Sequence, residues 1–129
     1  MTFILLPNPK RQMTIGGFDH PFVMKVREVI ESRLNDPNLN TDCLCDCMAM
    51  SRSPLYSKLR KHTGMSATAF IRYIRLSHAA GLLAETNLNV SEIAYQVGFQ
   101  TPNYFTRRFS DLMGCSPSDF RSSQQDCGI

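Results

Sequence analysis

An all-α fold of about seven helices, two helix-turn-helix subdomains joined by a long central helix, is what this sequence predicts. Two observations carry the prediction. One pattern occurs twice, since Leu39-Asn40 through Phe70 returns as Leu88-Asn89 through Phe120. Leu44 pairs with Ile93, Cys45 with Ala94, Met48 with Val97, Ala49 with Gly98 and, after one inserted residue, Leu55 with Phe105, Leu59 with Phe109 and Gly64 with Gly114. Within each copy the apolar residues fall at helical spacing on either side of a tight turn.

The elements follow in order. Residues 1–18 hold Pro7, Pro9, Gly16 and Gly17 without a sustained period and read as a linker from an upstream region. A first helix begins near Pro21, which suits a first-turn position, and shows the stripe Val23, Val26, Ile30 and Leu34 before Asp36-Pro37-Asn38 ends it. Asn40 and Asn89 open the two copies as N-caps, Leu39 and Leu88 are placed to staple onto Leu44 and Ile93, and Glu92 completes a capping box. The scaffold helices then run over about Thr41 to Met48 and Val90 to Val97, with Gly98 and Ala49 at the turns. The second helices lie near Ser51 to His62 and Pro102 to Met113, the latter capped by Thr101, and Gly64 and Gly114 stop them. A long helix starts at Ser66 and runs to about Glu85, and a short last helix starts at Ser116-Pro117 and ends near Ser122. The expected domains are thus 19–65, a connecting helix 66–85, 86–122 and a flexible tail 123–129.

Composition narrows the function. A chain of 129 residues with 43% apolar residues can build a core. The net charge is only +3, yet no Asp or Glu occurs between Asp46 and Glu85, where Arg52, Lys58, Arg60, Lys61, Arg72 and Arg75 fall. Such a stretch suits a polyanion. Five cysteines, Cys43, Cys45, Cys47, Cys115 and Cys127, are an odd number and a poor disulfide framework, which fits a reducing cytoplasm. Phe3 to Leu6 is too short for a signal peptide or a membrane span. Cys43, Cys45 and Cys47 invite a metal, but on a helix Cys45 points nearly opposite the other two, so a buried Cys45 with two exposed thiols is expected, and no metal or other cofactor. His20, His62 and His78 lie at no spacing that suggests a nucleophile or an acid-base pair, and no enzyme is expected.

Helical spacing gives each second helix an inner and an outer side. Leu55 and Leu59 look inward, while Arg52, Ser53, Tyr56, Ser57 and Arg60 form the opposite side. The second copy places Asn103, Thr106, Arg107 and Ser110 there. One α-helix fits the major groove, where Arg reads guanine, Asn reads adenine and Ser or Thr reads either, so Arg107 and Asn103 lead as base readers. Arg52 at the helix start, with Lys58, Arg60, Lys61 and Arg108 on the flanks, is assigned to phosphates, as are the cap hydroxyls of Ser51 and Thr101. A helix over 66–85 would span roughly 30 Å, close to the roughly 34 Å between successive major-groove faces. A helical protein-interaction or effector-binding module without DNA contact is the competing reading.

Ser91 to Arg121, "SEIAYQVGFQTPNYFTRRFSDLMGCSPSDFR", places Ile93-Ala94, Gly98-Phe99, Tyr104-Phe105, Arg107, Phe109, Gly114, Pro117 and Phe120-Arg121 in the pattern of one family. The chain resembles the AraC/XylS-type DNA-binding domain over about residues 21–122. The first copy agrees at Met50-Ser51-Arg52, Leu55, Gly64, Ser66 and Phe70-Ile71-Arg72. The resemblance implies base contacts at Ser53, Tyr56, Ser57, Asn103, Thr106 and Arg107, and a phosphate contact at Thr101. Two residues depart from the family pattern: Cys45 replaces its usual Ala, and Pro54 falls inside the first reading helix, which leaves a start at Ser53 open beside the one near Ser51. A narrower likeness, in the leader and in Leu55 to Leu83, is to the C-terminal output domain of hybrid two-component regulators. It implies an activator of transcription whose partners are double-stranded DNA, RNA polymerase and the upstream receiver or sensor domains of its parent.

Overall fold

Local signals set the helix starts. The computed structural model describes residues 20–127, with side chains described as far as Gln124; the expected linker 1–18 lies outside the described residues. Helices are α1 (Pro21–Ser32), α2 (Thr41–Met48), α3 (Arg52–Thr63), α4 (Ala67–Glu85), α5 (Val90–Gln96), α6 (Pro102–Met113) and α7 (Pro117–Cys127). No strand occurs among the described residues, and none of their helices is long and apolar enough to cross a membrane. They fall into two compact units, residues 20–74 and 75–127, divided within α4 between Ile74 and Arg75.

In the first unit, α1, α2 and α3 enclose Val23, Val26, Ile30, Leu44, Leu55 and Leu59, each fully buried. Each such side chain contributes about 1.5–3 kcal/mol by leaving water. Asn40 caps α2 as expected, its side-chain oxygen accepting from the Cys43 amide at 3.0 Å. Leu39 is buried beside that start. At the other end of the unit the Ser66 hydroxyl accepts from the Ala69 amide at 3.2 Å and so opens α4.

The second unit is built on aromatic rings. Phe99 meets Phe105 at 5.2 Å, Phe105 meets Phe109 at 5.7 Å and Phe109 meets Phe120 at 5.5 Å between centroids, in tilted or edge-on geometry that suits the ring quadrupoles. This chain of rings ties the turn, the reading helix α6 and α7 together. The capping box at α5 is complete: the Glu92 amide donates to Asn89 at 2.8 Å and the Asn89 amide to Glu92 at 2.9 Å.

Four expectations are corrected. α7 runs to Cys127, five residues beyond Ser122, so most of the expected tail 123–129 is helical. Its polar sequence hides this, because an exposed helix shows no apolar stripe. Cys45 is half-buried rather than buried, as is Cys43, and only Cys47 of the three is exposed. Both half-buried residues stand about 100° to either side of buried Leu44, at the margins of the packed face. Leu34 lies past the end of α1 and is half-buried. Finally, Arg75 is 9% exposed, so it adds nothing to a solvent-facing basic surface.

Arg121, the last residue of the family pattern, has a structural task. Its guanidinium donates to the carbonyl of Leu83 at 3.0 Å and of Thr86 at 3.2 Å. Those acceptors end α4, where carbonyls lack helical partners. Because the bonds are charge-assisted and half-buried, Arg121→Met is expected to lower unfolding free energy by about 1.5 kcal/mol. Urea unfolding of the two proteins measures it, and an unchanged midpoint would contradict the capping role.

Candidate nucleic-acid interface

Each reading helix is aimed by the turn before it. In the first copy the Ala49 amide donates to Asp46 at 3.3 Å and the Met50 amide to Cys45 at 3.0 Å; in the second, Gly98 donates to Tyr95 at 3.1 Å and Phe99 to Ala94 at 2.9 Å. The register of the repeat makes these the same two bonds. Both turns need a left-handed residue, with φ 54° at Ala49 and 92° at Gly98. Ala49 holds that conformation at a cost of about 1–2 kcal/mol.

The helices then start differently. Thr101 caps α6, its hydroxyl accepting from the Tyr104 amide at 3.2 Å. Ser51 caps α3 in position but makes no side-chain cap bond. Pro54 is the reason: it occupies the third helical position, where Tyr104 stands in the second copy, and it has no N–H to donate. For the same reason the proline does not delay the helix. The first three amides have no helical acceptor in any case, so α3 begins at Arg52, next to the expected Ser51, and not at the alternative Ser53.

Leu55 and Leu59 in α3, and Phe105 and Phe109 in α6, are fully buried. Opposite them, Ser53, Tyr56, Ser57 and Arg60 make one stripe at helical spacing, and all four are exposed. In α6 the stripe is Asn103, Thr106, Arg107 and Ser110, with Asn103 and Arg107 exposed and Thr106 and Ser110 half-buried. Hence the expected base readers of each unit share one face. Asn103 and Arg107 make no hydrogen bond or ion pair among the described residues and keep their full donor capacity.

Residues expected at phosphates divide into two groups. Ser51, Arg60, Lys61 and Thr101 are exposed. Three others already have partners. Arg52 donates through Nε at 3.0 Å and Nη2 at 2.6 Å to one carboxylate oxygen of Asp42. The Lys58 ammonium lies 5.1 Å from the centroid of the Phe22 ring. Arg108 sits 5.3 Å over the Tyr104 ring, bonds its hydroxyl at 3.2 Å and stands 3.7 Å from Asp111. Tyr104 itself leans on Phe99 at 5.9 Å, covering the edge of the aromatic core.

Sequence reasoning missed Asp42 and a histidine pair. His20 caps α1 with Nδ1, which accepts from the Phe22 amide at 3.1 Å, and its ring stacks on His62 at 3.9 Å. Histidine is not a usual N-cap, so composition gave no signal.

Comparison with known proteins bears on this geometry. A family model described as a helix-turn-helix domain matches residues 44–123, which include both turns and both reading helices. The chain belongs to the AraC-type helix-turn-helix family. Over 111 residues it is 30% identical to histidine kinase P4 of Formosa agariphila, a match covering 86% of this chain and 8% of the kinase. Over 87 residues it is 36% identical to the HTH-type transcriptional activator RhaR of Escherichia coli K12, covering 66% of this chain and 31% of the activator. The C-terminal domain of AraT, a response regulator from Geobacillus stearothermophilus, has a similar structure, with a TM-score of 0.72, 30% identity and coverage of 81% of this chain and 86% of that domain. The chain therefore spans less than a third of the length of these two curated relatives. In this AraC-type domain the matched segment begins at Leu44, so α1 with its histidine cap lies upstream of it.

His62, stacked on that cap, makes the first unit sensitive to acid. Burial chiefly, with His20, Lys61 and Lys58 adding repulsion, holds the His62 pKa below its ordinary value of 6.5. The unfolded chain then takes up the proton more readily. Stability from neutral His62 is present above about pH 6.5 and is lost as pH falls through the lower folded value. The melting temperature is expected to drop between about pH 7.5 and about pH 5.5, and less so in His62→Gln. An equal drop in the variant would assign the effect to other groups.

Proposed function

We propose that this AraC-type domain is the sequence-specific, double-stranded-DNA-binding output module of a longer transcription regulator of the two-component kind, with α3 and α6 entering successive major grooves of one duplex. The observation that carries the reading is the matched pair of polar stripes, Ser53, Tyr56, Ser57 and Asn103, Thr106, Arg107, each held outward by two buried residues on the opposite side of its helix. Polar groups at these positions have no packing reason to be there, and they are the donors and acceptors that base edges require. Arg107 presents a fork for guanine and Asn103 an amide for adenine. Ser53, Ser57, Thr106 and Tyr56 offer hydroxyls, a weaker and more permissive set.

Phosphate contacts fall to Arg60, Lys61, Thr101 and Ser51, with Lys58 and Arg108 at the flanks. The Ser51 hydroxyl is open to such a contact because Pro54 leaves it without an intrahelical bond. The likeness to part of a histidine kinase and to the C-terminal domain of a response regulator supports a place downstream of sensor and receiver domains. RNA polymerase is the partner that an activator of this kind would engage, in the cytoplasm.

Selection from a random duplex pool, followed by titration at two salt concentrations, tests the reading. Arg107→Ala is expected to lose about 1–3 kcal/mol on the selected duplex and to relax discrimination at one base pair. Equal loss on random DNA would move Arg107 to a phosphate. Lys61→Ala should weaken every duplex alike and reduce the salt slope by about 1; an unchanged slope would remove that assignment. Absence of salt-dependent binding to any duplex would favour the protein-interaction alternative.

A further inference from the structure

The ion pair between α2 and α3 has no counterpart in the second copy. By the register of the repeat, Asp42 corresponds to Ser91 and Arg52 to Pro102, so neither partner is present there. Both side chains are open to water, at 61% for Arg52 and 64% for Asp42, where an ion pair adds little to stability. Arg52 is also the first residue of α3, at the positive end of the helix dipole, an unfavourable place for a cation. The carboxylate opposite it, in the first turn of α2, offsets that charge with two N–H bonds. A cation at the opening of a reading helix would otherwise be well placed to seek phosphate regardless of sequence.

We propose that Asp42 is a specificity-determining positioning residue: by occupying the Arg52 guanidinium it keeps that cation from DNA phosphate, so that the first unit meets a duplex through its base-reading stripe rather than through charge. The inference rests on the DNA-binding reading above. It reassigns Arg52 from the phosphate set to a neutralised pair. Asp42 lowers sequence-independent affinity twice over, through the pair and through its own repulsion of phosphate. The second unit, whose α6 opens with Pro102, needs no such restraint.

The test uses the full chain with a duplex selected from a random pool and a random-sequence duplex, each titrated at several salt concentrations. Asp42→Asn is expected to bind the random duplex about fivefold more tightly at about 0.15 M salt and to steepen its salt slope by about 0.9, as one added phosphate contact requires. The ratio of selected to random affinity falls, and Asp42→Glu keeps it. Adding Arg52→Gln to Asp42→Asn returns the random-duplex slope to the wild-type value. Arg52→Gln alone leaves that slope unchanged. A slope that drops by about 0.9 in Arg52→Gln alone would show that Arg52 already holds a phosphate and would overturn the proposal. So would an unaltered slope and ratio in Asp42→Asn with a wild-type melting temperature. If the wild-type chain itself shows no salt-dependent duplex binding, the DNA-binding reading fails first, and the proposal with it.

Discussion

Two fully buried side chains one turn apart fix the orientation of each reading helix, Leu55 and Leu59 in α3, Phe105 and Phe109 in α6. A helix pinned at two such points cannot roll about its axis without exposing one of them, at about 1.5–3 kcal/mol each. Its opposite side is therefore committed to solvent or to a partner. This constraint turns a sequence pattern into a surface: which polar residues face outward follows from which apolar ones face inward. The turns at Ala49 and Gly98 set the direction of each axis with the same pair of backbone bonds, so the two units solve the same geometric problem with different side chains.

The differences between the copies are informative because the backbone plan is shared. The first unit uses aliphatic Leu55 and Leu59 on the inner side of its reading helix, a strained Ala49, an uncapped Ser51 and an ion pair at the opening of α3. The second uses linked aromatic rings, Gly98, a capped Thr101 and no charge at the opening of α6. Base-reading capacity is likewise unequal. Arg and Asn, which can make two bonds to one base, stand in α6 where serines stand in α3. Discrimination is thus expected to be concentrated in the second unit, with the first supplying a more permissive contact.

Much of the fold was legible because it rests on signals within one turn of a helix. Asn40, Asn89 with Glu92, Pro102 and Gly114 each announce a boundary through a bond or a dihedral that nearby residues determine, and α2 and α6 begin and end where those residues place them. Sequence reasoning went wrong where the signal was absent or ambiguous. The polar residues after Phe120 carry no stripe, so the length of α7 was unreadable. Pro54 suggested a later start for α3 as an alternative, although a proline at the third helical position costs the side-chain cap bond but no backbone bond of the helix. The outward residues of the candidate site followed from periodicity, but their partners did not. Asp42 and Arg52 are ten residues apart and meet only because the intervening turn folds α2 against α3.

Charge shows the same limit more sharply. In the acid-free stretch six cations look equivalent, yet the fold separates them into distinct kinds. Arg60 and Lys61 project from α3, Lys58 rests against Phe22, Arg52 is held by Asp42, and in α4 Arg72 is half-buried and Arg75 buried. Only the first two of these six are exposed with no ring or carboxylate partner among the described residues. Arg121 extends the point to the other unit: it is the final residue of the family pattern, and its guanidinium closes the end of α4. A basic residue within a recognition motif is therefore informative about DNA only after its intramolecular partners have been identified. In this domain Arg52, Lys58, Arg108 and Arg121 all have such partners.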